Sequence, residues 1–192
     1  MEQIHNVLNS EDLQEVNQFI QSGALNQVDE KQEGTLKEAL INVVTGMQFG
    51  RGESKSFSRK AFVRILRRSP DNENLHSYDI PAIMAANFKQ TDALLALMLK
   101  GGSPSRINPD FLLPFLSRNA EGVSPLLEEI AELESQAHQQ GKSFRTYAEE
   151  QGHAYSLEEV LGRLESQAGG RKGRKGRKTH KGRKGKKQTR RR

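Results

Sequence analysis

Several groups of residues in this chain have types that invite a chemical reading. The stretch GRGESKS, residues 50–56, mixes glycine, lysine and serine as phosphate-cradling loops do. Such a loop needs Gly-x4-Gly-Lys-Ser/Thr, so that successive backbone N–H groups wrap the phosphates; here Ser54 stands where the glycine before Lys55 is required. Gly50-Arg51-Gly52 does not continue to a third glycine either, because Lys55 occupies that place, and the segment reads as a solvated loop. The histidines, His5, His76, His138, His153 and His180, form no HExxH pair and have no metal-ligand spacing. No serine lies in a G-x-S-x-G elbow. With no cysteine, thiolate zinc sites, disulfides and cysteine nucleophiles are all excluded. Glu128, Glu129, Glu132 and Glu134 read as the solvated face of a helix. The expectation is a non-enzymatic chain without a cofactor or metal.

One segment has a physical property fixed by residue type. Residues 171–192 contain 14 of the 30 lysines and arginines, with no acidic or apolar side chain. They are Arg171, Lys172, Arg174, Lys175, Arg177, Lys178, Lys181, Arg183, Lys184, Lys186, Lys187, Arg190, Arg191 and Arg192. The remaining 16 cations face all 24 carboxylates, so the body carries about −8 and the tail +14. Glycine in nearly every triplet opposes helix, and like charges repel, so a disordered tail over residues 169–192 is expected. Its lysines and arginines suit nucleic-acid phosphates or a nuclear-import receptor. It has no aromatic residue on which to stack a base. A membrane partner is not expected, because no apolar anchor accompanies the charge.

The elements that would carry these groups are helical. Leu13, Val16, Phe19 and Ile20 repeat at helical spacing after a break at Asn9 and Ser10, and Ser22-Gly23 stops the run. Ile83 to Ala86, a turn at residues 87–90, and Leu94 to Leu99 before Gly101 make a second helix pair. Phe62, Val63, Ile65 and Leu66 mark another helix, stopped at Ser69-Pro70. Residues 47–58, rich in glycine and serine, read as an insertion loop. Further on, Ser124 with Pro125 opens a helix, residues 142–149 form another, and Ser156 with Glu159 has capping-box spacing. The N-terminus is too polar for a cleavable signal peptide and no apolar run nears ~18 residues, so a soluble protein is expected.

A helix-turn-helix-glycine unit recurring about every 33 residues is the mark of a helical repeat stack. Ile4 to Leu13 with Gly23-Ala24, Gly34-Thr35, Met84-Ala85-Ala86 and Lys100-Gly101-Gly102-Ser103-Pro104 resemble segments of ankyrin repeats, over residues 2–108. No unit has the full T-P-L-H box. The resemblance implies an all-α repeat domain over residues 1–140, followed by a helical C-terminal cap over 141–168. It implies a protein partner bound through hairpin tips, at residues 26–32, 74–79 and 105–109. Asp29, Glu30, Lys31, Tyr78, Asp79 and Arg106 are the candidate contacts.

Two functions follow as expectations. In the first, an adaptor is placed by its tail in the nucleus or nucleolus of a eukaryotic cell, as a regulator or as a bacterial effector inside a host. Outside such a cell it would be cytoplasmic. In the second, the tail binds RNA or DNA and the body positions or regulates it.

Overall fold

The computed structural model describes residues 10–21, 30–71, 76–109, 111–118 and 121–169. Among these the protein is all-α, with ten α-helices and no strand. The expected first helix around Ile4, the Gly23-Ala24 pair and the basic tail lie outside the described residues.

The helices are α1 (Ser10–Gln21), α2 (Glu30–Phe49), α3 (Glu53–Arg68), α4 (Asp79–Asn87) and α5 (Thr91–Leu99). After them come α6 (Pro104–Ile107), α7 (Leu112–Arg118), α8 (Pro125–Gln139), α9 (Phe144–Glu150) and α10 (Leu157–Ala168). A 3-10 turn, His76–Tyr78, leads into α4.

The core is built around α5. Every residue from Ala93 to Leu99 is buried, so this helix is apolar on all sides, as an interior helix must be. It packs against α4, α8, α9 and α10. α2 presents Leu36, Ala39, Leu40, Val43, Val44 and Met47 as one buried stripe. That spacing of three and four residues is one face of a helix, and α2 turns it toward α3 and α4. Gly34-Thr35, the pair that resembles an ankyrin segment, falls within this helix. Gly34 is exposed, with nothing near the position a Cβ would take.

The insertion loop expected over residues 47–58 is corrected by the structure. α2 continues to Phe49 and α3 begins at Glu53. Gly50 makes so short a reversal practicable. Its N–H donates to the Gly46 carbonyl at 2.9 Å, and a Cβ there would stand 2.3 Å from that same oxygen. Gly52 follows with φ +54°, where a side chain is strained. The glycines that suggested a flexible loop are what permit a tight helix-to-helix turn.

The other reversals repeat one device. At the end of α5 the N–H of Gly102 donates to Leu97 O at 2.9 Å and that of Gly101, with φ +106°, to Met98 O at 3.0 Å. Lys142 and Gly141 close α8 in the same way, and His153 and Gly152 close α9. These are left-handed caps that satisfy the last carbonyls of each helix. At the opening ends, Ser124, Ser143 and Ser156 cap α8, α9 and α10 with their hydroxyls. The segment expected as a terminal cap runs back over the middle of the fold, with α10 against α3 and α5. No described helix is long and apolar enough to cross a membrane.

Candidate interaction surfaces

The structure turns two of the expected contact residues inward. Tyr78 and Asp79 are both 0% exposed, so neither side chain presents itself to a partner. The cause is the apolar run that follows: α4 buries Ala82, Ala85 and Ala86, and its first turn is drawn in with them. The Tyr78 hydroxyl donates to Pro70 O at 2.8 Å, and burial pushes its pKa up to about 12. Gly102 lets this ring in, since a Cβ there would lie 2.9 Å from Tyr78 Cβ.

Asp79 is a structural clamp. Its Oδ1 accepts from the Ser103 N–H at 2.8 Å and from Arg106 Nη2 at 2.7 Å, and its Oδ2 faces His76 Nδ1 at 3.0 Å. Arg106, the third candidate contact, is half-buried and also donates to the Gly101 carbonyl. Glu30 and Lys31 lie in the first turn of α2, while Asp29 is outside the described residues.

Glu134 grips the same segment from α8. It is 1% exposed, and it accepts from the Ser103 hydroxyl at 2.7 Å, the Ser105 N–H at 3.0 Å and the Ser105 hydroxyl. The solvated acidic face expected of α8 therefore excludes this residue. Residue type gave no warning, since a buried carboxylate and an exposed one look alike until the partner loop is placed. Two buried carboxylates thus hold residues 103–105 between α4 and α8, each with several donors, as burial of charge demands.

A second clamp joins the ends of α3, α5 and α9. Lys100, 5% exposed, donates to Ser69 O at 2.7 Å and Asp71 Oδ1 at 2.6 Å, while Arg145 reaches Asp71 Oδ2 at 3.3 Å. Partial burial raises the Asp71 pKa, but Lys100 and then Arg145 outweigh it and hold the carboxyl below its usual range.

The opposite character appears along α3. Between Arg51 and Arg68 stand seven cations and one acid, Glu53, in a body whose balance is about −8. Arg67 is paired with Glu158 at 3.2 Å and Glu165 at 3.1 Å of α10. Arg59 donates to the Gln167 carbonyl at 3.1 Å and the Ser56 hydroxyl to that of Ala168. The Arg59 bond places a cation on the negative end of the α10 dipole. These bonds also fix the point at which the chain proceeds toward its basic segment.

Beside this junction lies a cleft of about 380 Å³, bounded by the end of α2, the start of α3, the α4–α5 turn and α10. Lys55, Arg59 and Lys89 line it, and none forms an ion pair among the described residues. Its one carboxylate, Asp92, is held by Arg163 at 2.7 and 2.9 Å. Among the described residues no group of His, Asp and Glu is placed to hold a metal.

Comparison with known proteins names no family. No protein-family model matches the chain, no curated protein matches it, and no solved structure matches it. The ankyrin-like resemblance therefore remains a resemblance of short segments.

Proposed function

We propose that this protein is a non-enzymatic adaptor, an ankyrin-like helical scaffold that recognises a protein partner and is placed in the nucleus or nucleolus by its basic tail. The observation that carries this reading is the charge division at the end of α10. A body of about −8 is followed by 22 residues carrying +14 and no apolar side chain. A segment of that composition serves a receptor or a polyanion and adds nothing to a core.

The scaffold part is supported by the α4–α5 hairpin. Its turn runs through Lys89 at φ +54°, its second helix ends at Leu99 with Gly101 in the cap, and the clamped segment 103–105 follows. This is the segment in which the ankyrin-like motif is densest. With Tyr78 and Asp79 buried, Arg106 and its exposed neighbours Ile107 and Asn108 remain of the expected tips among the residues whose burial is described.

The experiment is a fluorescent fusion in a eukaryotic cell, with and without residues 171–192. The full chain is expected to concentrate in the nucleus or nucleolus, and the truncated chain to spread through the cell. Identical distributions would remove the targeting role.

The second reading, direct RNA or DNA binding, is favoured by the cationic face of α3 beside the point where the tail departs. Purified full-length protein would then bind RNA at physiological salt with a steep salt dependence.

A further inference from the structure

The cleft between α3, the α4–α5 turn and α10 contains more than charge. Phe88 and Met47 line it beside the three cations, and Phe88 is steadied by an edge-on contact with Phe49 at 5.3 Å between centroids. Gln90 is anchored by its Nε2, which donates to Val44 O at 3.3 Å. That bond fixes the amide's orientation and leaves Oε1 buried, accepting no hydrogen bond from any described residue. A buried acceptor without a donor is costly, and such groups are rare enough to require an explanation.

We propose that this cleft binds one nucleotide of a single-stranded nucleic acid. Lys55, Arg59, which also donates to the Gln167 carbonyl, and Lys89, whose ammonium donates to the Glu121 carbonyl, supply cations for its phosphate; Phe88 receives the flat base over a floor that includes the buried Met47, and Gln90 Oε1 accepts an N–H from the base edge. About 380 Å³ lies within the usual range of small-ligand sites, ~300–1,000 Å³. A concave site admits a base only when the base is free of a duplex, which selects a single strand. The neighbouring phosphates of that strand then run toward the chain's exit at Ala168–Gly169, where the +14 segment begins. The tail contributes affinity without stacking, and the cleft contributes the aromatic contact that the tail lacks. A lipid surface fits less well, because the exposed large apolar side chains among the described residues, Ile107 and Leu113, do not line the cleft.

This site goes beyond the adaptor reading and stands whether or not the tail directs localisation. The test uses the full-length protein and a short single-stranded RNA carrying 4-thiouridine. Irradiation is expected to attach the RNA to peptides containing Met47 or Phe88, in the unmodified protein. Affinity is then compared for Lys55→Gln and for Lys89→Gly, which removes a cation while keeping the left-handed backbone at that turn. Each is expected to weaken RNA binding about five- to tenfold and to lower the salt slope by about 0.7. Gln90→Leu is expected to weaken a mononucleotide several-fold while leaving inorganic phosphate unchanged.

Crosslinks confined to residues 171–192, with the double variant Lys55→Gln/Lys89→Gly binding RNA normally, would overturn the proposal. So would a loss of anionic-vesicle binding in that variant with RNA binding intact, which would assign the cleft to a membrane. Neither result bears on the localisation experiment, so the two readings fail separately.

Discussion

Glu134 on α8 accepts the backbone N–H of Ser105 on α6 at 3.0 Å, across 29 residues of chain and with 1% of its own surface exposed. The carboxylate stands in for a turn of backbone. It satisfies the N–H and hydroxyl groups of residues 103–105 where the short α6 offers no internal partners, and so joins the α4–α5 hairpin to α8. Asp79 does the same from the other side.

Glu134→Ala should therefore cost about 2–4 kcal/mol, because it strands several buried donors at once. Glu134→Gln keeps the shape and one acceptor oxygen, and should cost about half as much. Urea unfolding of the two variants measures this, and equal, small losses would show the clamp to be dispensable.

The glycines of the first hairpin should divide by sign. Gly50→Ala forces a Cβ to within 2.3 Å of the Gly46 carbonyl oxygen, in backbone that cannot yield without opening the turn, and should cost ~2 kcal/mol or more. Gly34→Ala, inside α2 with open space around it, should stabilise by about 0.5–1 kcal/mol. Thermal melts of both, run side by side, test the continuous α2 and the short α2–α3 turn together.

Tyr78 makes the fold sensitive to alkali. Burial raises its pKa from 10.0 to about 12, so its contribution is fully present below pH 10 and is lost as pH rises through 12. The slope is about 1.4 kcal/mol per pH unit in that window, with a total near 2–3 kcal/mol. Tyr155 adds in the same direction, since burial and then the Glu129 carboxylate raise its pKa as well. Tyr78→Phe should lose about 1 kcal/mol at pH 7 with the hydrogen bond to Pro70, and should flatten the alkaline slope. Denaturant unfolding at pH 8 to 11 reads both effects.

Asp71 acts at the other end of the scale. Its carboxyl titrates below the ordinary aspartate value of 3.8, so the stability it lends is present above that value and falls away as pH drops through its folded pKa. Asp71→Asn leaves Lys100 buried with only the Ser69 carbonyl and should cost about 1–2 kcal/mol at pH 7. The figure is modest because half of the Asp71 side chain faces solvent. The variant and the parent should converge in stability as the pH falls through the lowered folded pKa of this carboxyl, which acid unfolding curves would reveal.

Helices whose signals are local were readable from the letters. α5 follows from its apolar run before Gly101, α8 from Ser124-Pro125 and α10 from the Ser156 cap, and all three are present. α2 was not, although Leu36, Leu40, Val43 and Met47 have helical spacing. Two glycines, Gly34 and Gly46, lie within that stretch, and the stripe buried against α3 and α4 keeps the helix continuous through them. The loop read over residues 47–58 failed for the same reason, with Phe57 and Ser58 drawn into the packing of α3.

Sequence alone determined the helical class, the serine caps, the glycine stops and the division of charge between body and tail. Each of these depends on residues within a few positions of one another, or on a sum. Tertiary structure decided which charges are buried and which gather. Asp79 and Glu134 became clamps because two helices close on one loop from opposite sides. Lys55, Arg59 and Lys89 meet beside Phe88 and Gln90 because α10 folds back over α3, about a hundred residues upstream. Burial and convergence are properties of packed surfaces, and no spacing along the chain encodes them.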